Sequence, residues 1–335
     1  GEEMIAAGIP TILVDNTKAE NSTMHNKFTV IDKSIVMTGS ANYSSTALNK
    51  SDEDLLTVEN TDLAERYLKE YLELKVGEYE KSDAYDDGTK IKAWMGPEDN
   101  LSKKLISLID NAKKSVYVAQ FQFNHTGLGQ ALIDAKDRGV NVLVIIDTKQ
   151  AAEESLDESL INAGISLVYA ENTKGKYTEM HSKFMVVDHV YTAVGSFNWT
   201  SLASYHNDEN IVIIEDASMA ARTEGKLAEL INSYAAGKAD SFGLTTGKQE
   251  VTFTVNNVSL EAGAKLILKS VGGSFTGGVE FTGKSATLSV EAGTRIEYRY
   301  SVEGDAGTMN ENGANHHFTV PYSSGPFSIS DIFRP

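Results

Sequence analysis

The stretch HSKFMVVDHVYTAVGSFN, residues 181–198, has a near copy in HNKFTVIDKSIVMTGSAN, residues 25–42. Each copy carries a His, a Lys two residues on (His25 and Lys27; His181 and Lys183) and an Asp five beyond the Lys (Asp32; Asp188). Each then has Gly-Ser-x-Asn, with Ser40 and Asn42 in one copy and Ser196 and Asn198 in the other. A neutral imidazole can attack through one ring nitrogen while a cationic one donates a proton. Two ammonium groups supply point charges, and Ser and Asn supply neutral donors for anionic oxygens. This inventory suits a phosphodiester, an anion that repels nucleophiles and has a poor leaving alkoxide. Its cleavage needs charge neutralised, an attacking atom and a proton delivered. The sequence has no His-x-x-x-His and no carboxylate cluster at ligand spacing, so neither metal nor cofactor is expected.

The offset between the copies is 181 − 25 = 156, and it holds without a gap from Gly8/Gly164 to Glu59/Glu215, through Asn16/Asn172, Met24/Met180 and Glu53/Glu209. Six polar or Gly positions recurring in register mark an internal duplication. A period this long is not a solenoid and reads as two similar lobes facing each other. The positioning elements follow from the pattern around the motifs. Lys27 to Ile31 alternates as a strand, putting His25 and Lys27 on one face. Asp32 and Lys33 form a turn, Ile35 to Thr38 returns, and Gly39-Ser40 is read as admitting a bound anion close to the backbone. A buried strand is expected at Ile9 to Val14 and another at Leu55 to Glu59. An amphipathic helix spans Asp62 to Lys75, with Leu63, Tyr67, Tyr71 and Leu74 on one stripe. In the second lobe, AWMGPEDN leads into a helix at Leu101 to Lys113. Ser115 to Phe123 is a strand, Gly127 to Arg138 a helix, and Val140 to Asp147 a buried strand of the parallel type.

On these motifs the sequence resembles the phospholipase D superfamily, whose signature is His-x-Lys-x4-Asp followed by Gly-Ser-x-Asn, twice per active site. The resemblance covers most of residues 1–237. It implies a two-lobed α/β fold with both motifs at the seam, and a covalent phosphohistidine. It also implies His25 as nucleophile, with His181 as general acid and then as base for water or an alcohol. A carboxylate after each Gly-Ser-x-Asn orients the histidine in that family, and the matching residues are Glu53 and Glu209, each 28 after the His of its own lobe (53 − 25; 209 − 181). Lys27, Lys183, Ser40, Asn42, Ser196 and Asn198 are expected on the phosphate, and Asp32 and Asp188 as supports that tie strand ends. His125, His189 and His206 are read as loop residues rather than members of the site.

The division expected is a first lobe at 1–90, a second at 91–237, a linker at 238–248 and a β-sandwich at 249–335. Residue 1 aligns with Asp157, so the first lobe has no partner for Ile91 to Leu156 and is expected to be N-terminally truncated. Short alternating strands (VTFTVNNV, AKLILKS, SATLSV, RIEYRYSV, HHFTV) between Gly-rich turns build the tail. It resembles starch-binding carbohydrate modules, which implies a polysaccharide partner and a secreted location. Both tryptophans, Trp94 and Trp199, lie outside it, and Phe253, Tyr298, Tyr300 and Phe318 sit where strand cores are built. His316 and His317 have no acidic partner at metal spacing. With no Cys there is no disulfide or thiol nucleophile, and no run of 18 apolar residues offers a membrane span. A net charge of −17 opposes sequence-independent binding to nucleic acid or anionic bilayers. A phospholipid is therefore the favoured substrate. A nuclease acting on DNA or RNA, and a non-catalytic surface or glycan-binding protein, are the alternatives.

Overall fold

The computed structural model describes residues 2–14, 16, 20–77, 85–86, 90–151, 156–235, 238–244, 248–271, 275, 277–292, 294–304, 307–320 and 327–334. By spatial proximity of the backbone these fall into two units, Gly1–Asp216 and Ala217–Pro335. Part of the expected linker at 238–248 lies outside the described residues; within it, Ala239–Phe242 forms a short 3-10 turn.

In the first lobe each motif half-strand becomes a real one. Phe28–Ile31 (β1), Ile35–Gly39 (β2) and Leu55–Glu59 (β3) form an antiparallel meander, with Phe28 opposite Thr38 and Gly39 opposite Leu55. Asp32 and Lys33 both take positive φ in the β1–β2 turn, as do Asp188 and His189 in its second-lobe counterpart. Helix Thr61–Val76 is capped by the Asn60 side chain at one end and by left-handed Gly77 at the other. It buries Leu63, Tyr67 and Leu74, and Tyr67 meets Phe28 edge to face at 5.0 Å. Tyr71, expected on the same stripe, is exposed.

Residues 9–14 do not form the expected strand. Ile9, Ile12 and Leu13 are exposed, and no neighbouring strand lies beside them among the described residues. A strand needs partners for its backbone N–H and C=O groups, and apolar composition alone does not provide them.

The second lobe supplies those partners. Its eight-stranded sheet has Tyr85–Asp86 (β4) at one edge, followed by Ile91–Gly96 (β5), Glu209–Glu215 (β11), Tyr191–Gly195 (β10), Lys183–Val187 (β9), Ser115–Gln120 (β6), Asn141–Asp147 (β7) and Ser166–Ala170 (β8). The run β6-β7-β8 is parallel and every other pairing is antiparallel. β7 is apolar along its length and buried from Val142 onward, as a central parallel strand must be. Helices Leu101–Asn111, Thr126–Asp137 and Leu156–Asn162 cover the face whose core includes Val116, Val142, Val144, Met185 and Ile211. β5 is missed by the sequence reading, which takes AWMGPEDN only as a helix entry. Its register with β11, Gly96 opposite Glu209, closes the end of the sheet that carries the site.

The tail unit forms two sheets around one core. One has the order Ser285–Glu291, Lys248–Val255, Phe327–Asp331, and the other is built on Lys265–Ser270 and Arg295–Gly304. Val251, Phe253, Leu266, Leu268, Ile296, Tyr298 and Tyr300 meet between them, with Phe318 half-buried against the cluster. These aromatics therefore fill a core and form no exposed stacking platform. His316 does have acidic partners, contrary to expectation: its Nε2 lies 2.8 Å from Glu311 and its ring stacks on Tyr298. Among the described residues no helix is long and apolar enough to cross a membrane.

Candidate active site

The two motifs meet because each lobe completes the other's backbone. The segment before β11 pairs in parallel with the residues before β1, the segment before β3 with those before β9, as Met24 with Asp208 and Asp52 with Met180. His25 N donates to Asp208 O at 3.0 Å, and His181 N donates to Asp52 O at 2.9 Å. Asn16 and Asn172, one at each duplicated position, donate to the Asp208 and Asp52 carboxylates at 2.9 Å. Neither Asp nor Asn in these clamps was singled out from sequence. The signal was there, because Asn16/Asn172 and Asp52/Asp208 repeat at the same offset as the motif residues.

The histidine–glutamate pairs form across the seam. His25 Nδ1 lies 2.8 and 2.9 Å from the two oxygens of Glu209, and His181 Nδ1 lies 2.8 Å from Glu53 Oε2. The reading that each glutamate serves the histidine of its own lobe is corrected: the spacing of 28 is right, but the partner is the other lobe's ring. Backbone pairing across the seam brings Glu209 beside His25 and Glu53 beside His181, whereas within each lobe the middle strand of the meander stands between the histidine and its own lobe's glutamate. With Nδ1 held, Nε2 of each ring remains for chemistry.

Ser40 and Ser196 do not face the pocket as donors. Ser40 Oγ donates to Glu53 at 2.6 Å and accepts from Asp54 N at 2.8 Å. Ser196 Oγ donates to Glu209 at 2.5 Å and accepts from Asn210 N at 3.0 Å. In this arrangement the hydroxyl proton holds the orienting carboxylate and is not available to a phosphate. The glycine beside each serine has a matching explanation. A Cβ on Gly39 would stand 2.1 Å from Asp54 O, and one on Gly195 would stand 2.1 Å from Asn210 O. The close approach is to the neighbouring strand, where sequence had assigned it to an anion. Asn198 is buried with Oδ1 lacking a hydrogen bond, while Asn42 is exposed. Asp188 accepts from the backbone N–H groups of Lys113, Lys114 and Ser115, tying the end of β9 to the start of β6; Asp32 is exposed at its turn. His125 sits outside the site, buried, and caps the helix Thr126–Asp137 by accepting from Leu128 N.

Both lysines are buried and reach back to their own histidines: Lys27 Nζ donates to His25 O at 2.7 Å and Lys183 Nζ to His181 O at 2.8 Å. Burial lowers Lys27 to about 8, against the pull of Glu209 and Glu53. It lowers Lys183 to about 7, with Glu53 opposing and Lys27 adding to the fall. His181 is pushed down to about 2 by burial, then by Lys183 and Lys27. Burial raises Glu53, partly offset by the Ser40 hydrogen bond and the two lysines. Burial thus holds His181 and Glu53 toward neutrality, while the lysines compete with His181 for positive charge. A phosphodiester anion beside them opposes the fall of the lysines and of His181, since it stabilises ammonium and imidazolium, and adds to the rise of Glu53.

Two lobes joined at a seam of paired His, Lys and Glu define a phospholipase D-type site, and comparison with known proteins agrees. The chain belongs to the family described as cardiolipin synthase, PLD-like domain, which it matches over residues 2–75 and 105–231, more than half of its 335 residues. It is 29% identical over 137 residues to a phospholipase D of Rickettsia bellii (strain RML369-C), covering 39% of this chain and 64% of that protein. It is 31% identical over 145 residues to a mitochondrial cardiolipin hydrolase of Xenopus tropicalis, covering 43% and 67%. The chain thus spans about two thirds of the length of these relatives. Among solved structures, Nuc from Salmonella typhimurium, a phospholipase D family member, aligns at 29% identity and a TM-score of 0.40, covering 42% of this chain and 93% of that one.

Proposed function

We propose that the protein is a phosphodiesterase of phospholipase D type that hydrolyses, or transfers the phosphatidyl group of, a phospholipid. The observation that carries the reading is the double cross-lobe pair, His25–Glu209 and His181–Glu53, with Lys27 and Lys183 beside it. In the first step His25 Nε2 forms a bond to phosphorus, the bond from phosphorus to the leaving oxygen breaks, and Nε2–H of a protonated His181 transfers its proton to that oxygen. In the second, His181 takes a proton from water or an alcohol, whose oxygen attacks phosphorus as the N–P bond breaks and its electron pair returns to His25. The lysines hold the non-bridging oxygens through both steps. No metal enters this scheme. The names of the relatives favour lipid over nucleic acid, and the net charge of −17 opposes nucleic acid and anionic bilayers alike. Secretion and a glycan partner for the tail belong to the same proposal; a pull-down on starch and glycogen that retains nothing would remove the latter.

The test is incubation in EDTA with vesicles of phosphatidylcholine or cardiolipin, and separately with single-stranded and duplex DNA, alongside His25→Ala and His181→Ala. Head-group release resistant to EDTA and lost in both variants is the expected result. DNA cleavage with intact lipid would replace the lipid reading by a nuclease, and release that needs a divalent cation would overturn the metal-free scheme.

A further inference from the structure

One buried carboxyl belongs to no step of this scheme. Glu70, on the helix Thr61–Val76, is 2% exposed and stands behind the strand that carries His25 and Lys27. Its neighbours come from three elements. On its own helix are Arg66, whose guanidinium lies 3.7 Å from Glu70 Oε2, and Glu73. From the turn after β5 come Glu98, which with Glu70 and Glu73 brings three carboxylates within 4.8 Å of one another, and Asp99, 3.6 Å from Arg66. From the segment before β11 comes Asp208, whose charge also acts on Glu70. Arg66 lies within ion-pair distance of both Glu70 and Asp99, and none of its side-chain nitrogens has a hydrogen-bond partner. An arginine sits inside the acidic cluster, so its chemistry is not that of an empty cation site.

Glu70 is linked to the chemistry by an unbroken chain of hydrogen bonds. Asn26, between His25 and Lys27, donates to Glu70 Oε1 at 3.3 Å. Asn210 donates to Asn26 Oδ1 at 2.8 Å, and the same residue's N–H donates to Ser196 Oγ at 3.0 Å. Ser196 donates to Glu209, which holds His25 Nδ1. Asn210 is locked on its other side by Thr38 and Tyr67, whose hydroxyls donate to its Oδ1 at 2.7 and 2.9 Å. The amide of Asn26 is therefore held from two sides, by Glu70 of its own lobe and by Asn210 of the other.

We propose that Glu70 is a positioning residue for the His25 half of the site, acting through Asn26 and Asn210. It deepens the phosphodiesterase reading but does not depend on which diester is cleaved. Burial, then the charge of Glu98, pushes Glu70 up to about 8, with Arg66 opposing. Below that pH the carboxyl is neutral, the seam between helix and turn stays closed and Asn26 keeps its place. Above it, a further negative charge on buried Glu70 faces buried Asp99 and Asp208 and half-buried Glu73 and Glu98, and water is drawn in to solvate it. The turn and helix then separate and His25 loses its register against Glu209.

Two variants and two readouts test this. Glu70→Gln keeps the shape and the acceptor for Asn26 but cannot ionise, and Glu70→Ala removes the acceptor. The His25 ring and the Asn26 side-chain amide are followed by NMR from pH 6 to 9.5 in the unliganded protein, and kcat is followed over the same range. The expected result is a transition in the Asn26 and His25 signals near pH 8 that is absent in Glu70→Gln. Glu70→Ala should also lose kcat by tenfold or more at pH 7 while KM changes less than threefold. Asn26 and His25 signals that titrate identically in the parent and in Glu70→Gln would overturn the proposal, as would a Glu70→Ala variant with parental kcat. The NMR readout needs no substrate, so a protein inactive on every diester would sink the functional reading and leave this one still decided.

Discussion

The His25 half and the His181 half of the site contain the same six motif residues, yet they are held differently. The residue after each orienting glutamate is Asp54 in one lobe and Asn210 in the other, at matching positions (54 + 156 = 210). Asp54 accepts from Lys183 N at 2.9 Å and from Ser182 Oγ at 3.2 Å, so a carboxylate anchors the strand carrying His181 and Lys183. Asn210 anchors the opposite strand through a carboxamide, in the chain that runs on to Glu70. The reagents, the glutamates that orient them and the Asn–Asp clamps are duplicated faithfully, while the residue after each glutamate has diverged. A duplicated site can therefore keep a symmetric set of reagents and still give its two histidines unequal surroundings.

The largest expected effect removes one reagent from either half. His25→Asn and His181→Asn should each lower kcat on the order of 10⁴-fold, and the double variant should be little worse than either single one, because the two rings act as a unit. Additive losses in single-turnover assays would mean that the halves work independently. A smaller effect tests the crossover. Glu209→Gln should cost on the order of 10²-fold, and it should shift the ring NMR signals of His25 while leaving those of His181 nearly unchanged. The opposite pattern would restore the within-lobe pairing and contradict the distances of 2.8 and 2.9 Å across the seam.

Much of this was legible in the residues alone. The duplication, the lobes, the hairpins around each motif and the candidacy of His25 and His181 follow from pattern and spacing, because local periodicity and fixed offsets record local structure; Glu53 and Glu209 are picked out by the family resemblance. Partnership does not. Nothing in the spacing of 28 says which ring each glutamate meets, since that depends on parallel pairing between Met24 and Asp208 and between Asp52 and Met180, residues far apart in sequence. The serines were misplaced for a related reason: a hydroxyl that can serve a phosphate can equally serve a buried carboxylate, and only the fold decides. Residues 9–14 carry a strand's composition without a strand's neighbours. Nothing in the helix pattern marks Glu70, because two of the acids that raise it, Glu98 and Asp208, come from segments far away in sequence.

Charge gives the next test. Burial lowers Lys27 to about 8 and Lys183 to about 7, so kcat/KM for an anionic substrate should fall above that range by about tenfold per pH unit as an ammonium is lost. A flat profile to pH 9.5 would mean that neither lysine has to be charged in the free enzyme. Glu70 acts on folding with a definite sign. Its pKa is raised in the folded protein, so the folded state binds more protons than the unfolded one between about 4.5 and 8, and stability falls as pH rises through that window. The full shift corresponds to roughly 5 kcal/mol. Glu70→Gln should abolish that part of the slope in urea unfolding followed from pH 5 to 9.

The smallest effect bears directly on the difference between the halves. Asp54 is one of the charges that raise Lys183 against the burial that lowers it, whereas its counterpart Asn210 is neutral. Asp54→Asn should preserve an acceptor for Lys183 N while removing the charge, so the lysine should lose its proton at lower pH. The alkaline fall in kcat/KM should then move down by up to about one unit, with only a few-fold loss at pH 6. Substitution on the other side, Asn210→Asp, leaves Lys183 without that change and instead deprives Asn26 Oδ1 of its donor, so its cost should be nearly independent of pH below 7. If the two variants gave superimposable profiles, the divergence of Asp54 from Asn210 would have no bearing on charge in the site. If only Asp54→Asn moves the alkaline limb, that carboxylate keeps the Lys183 half cationic at neutral pH.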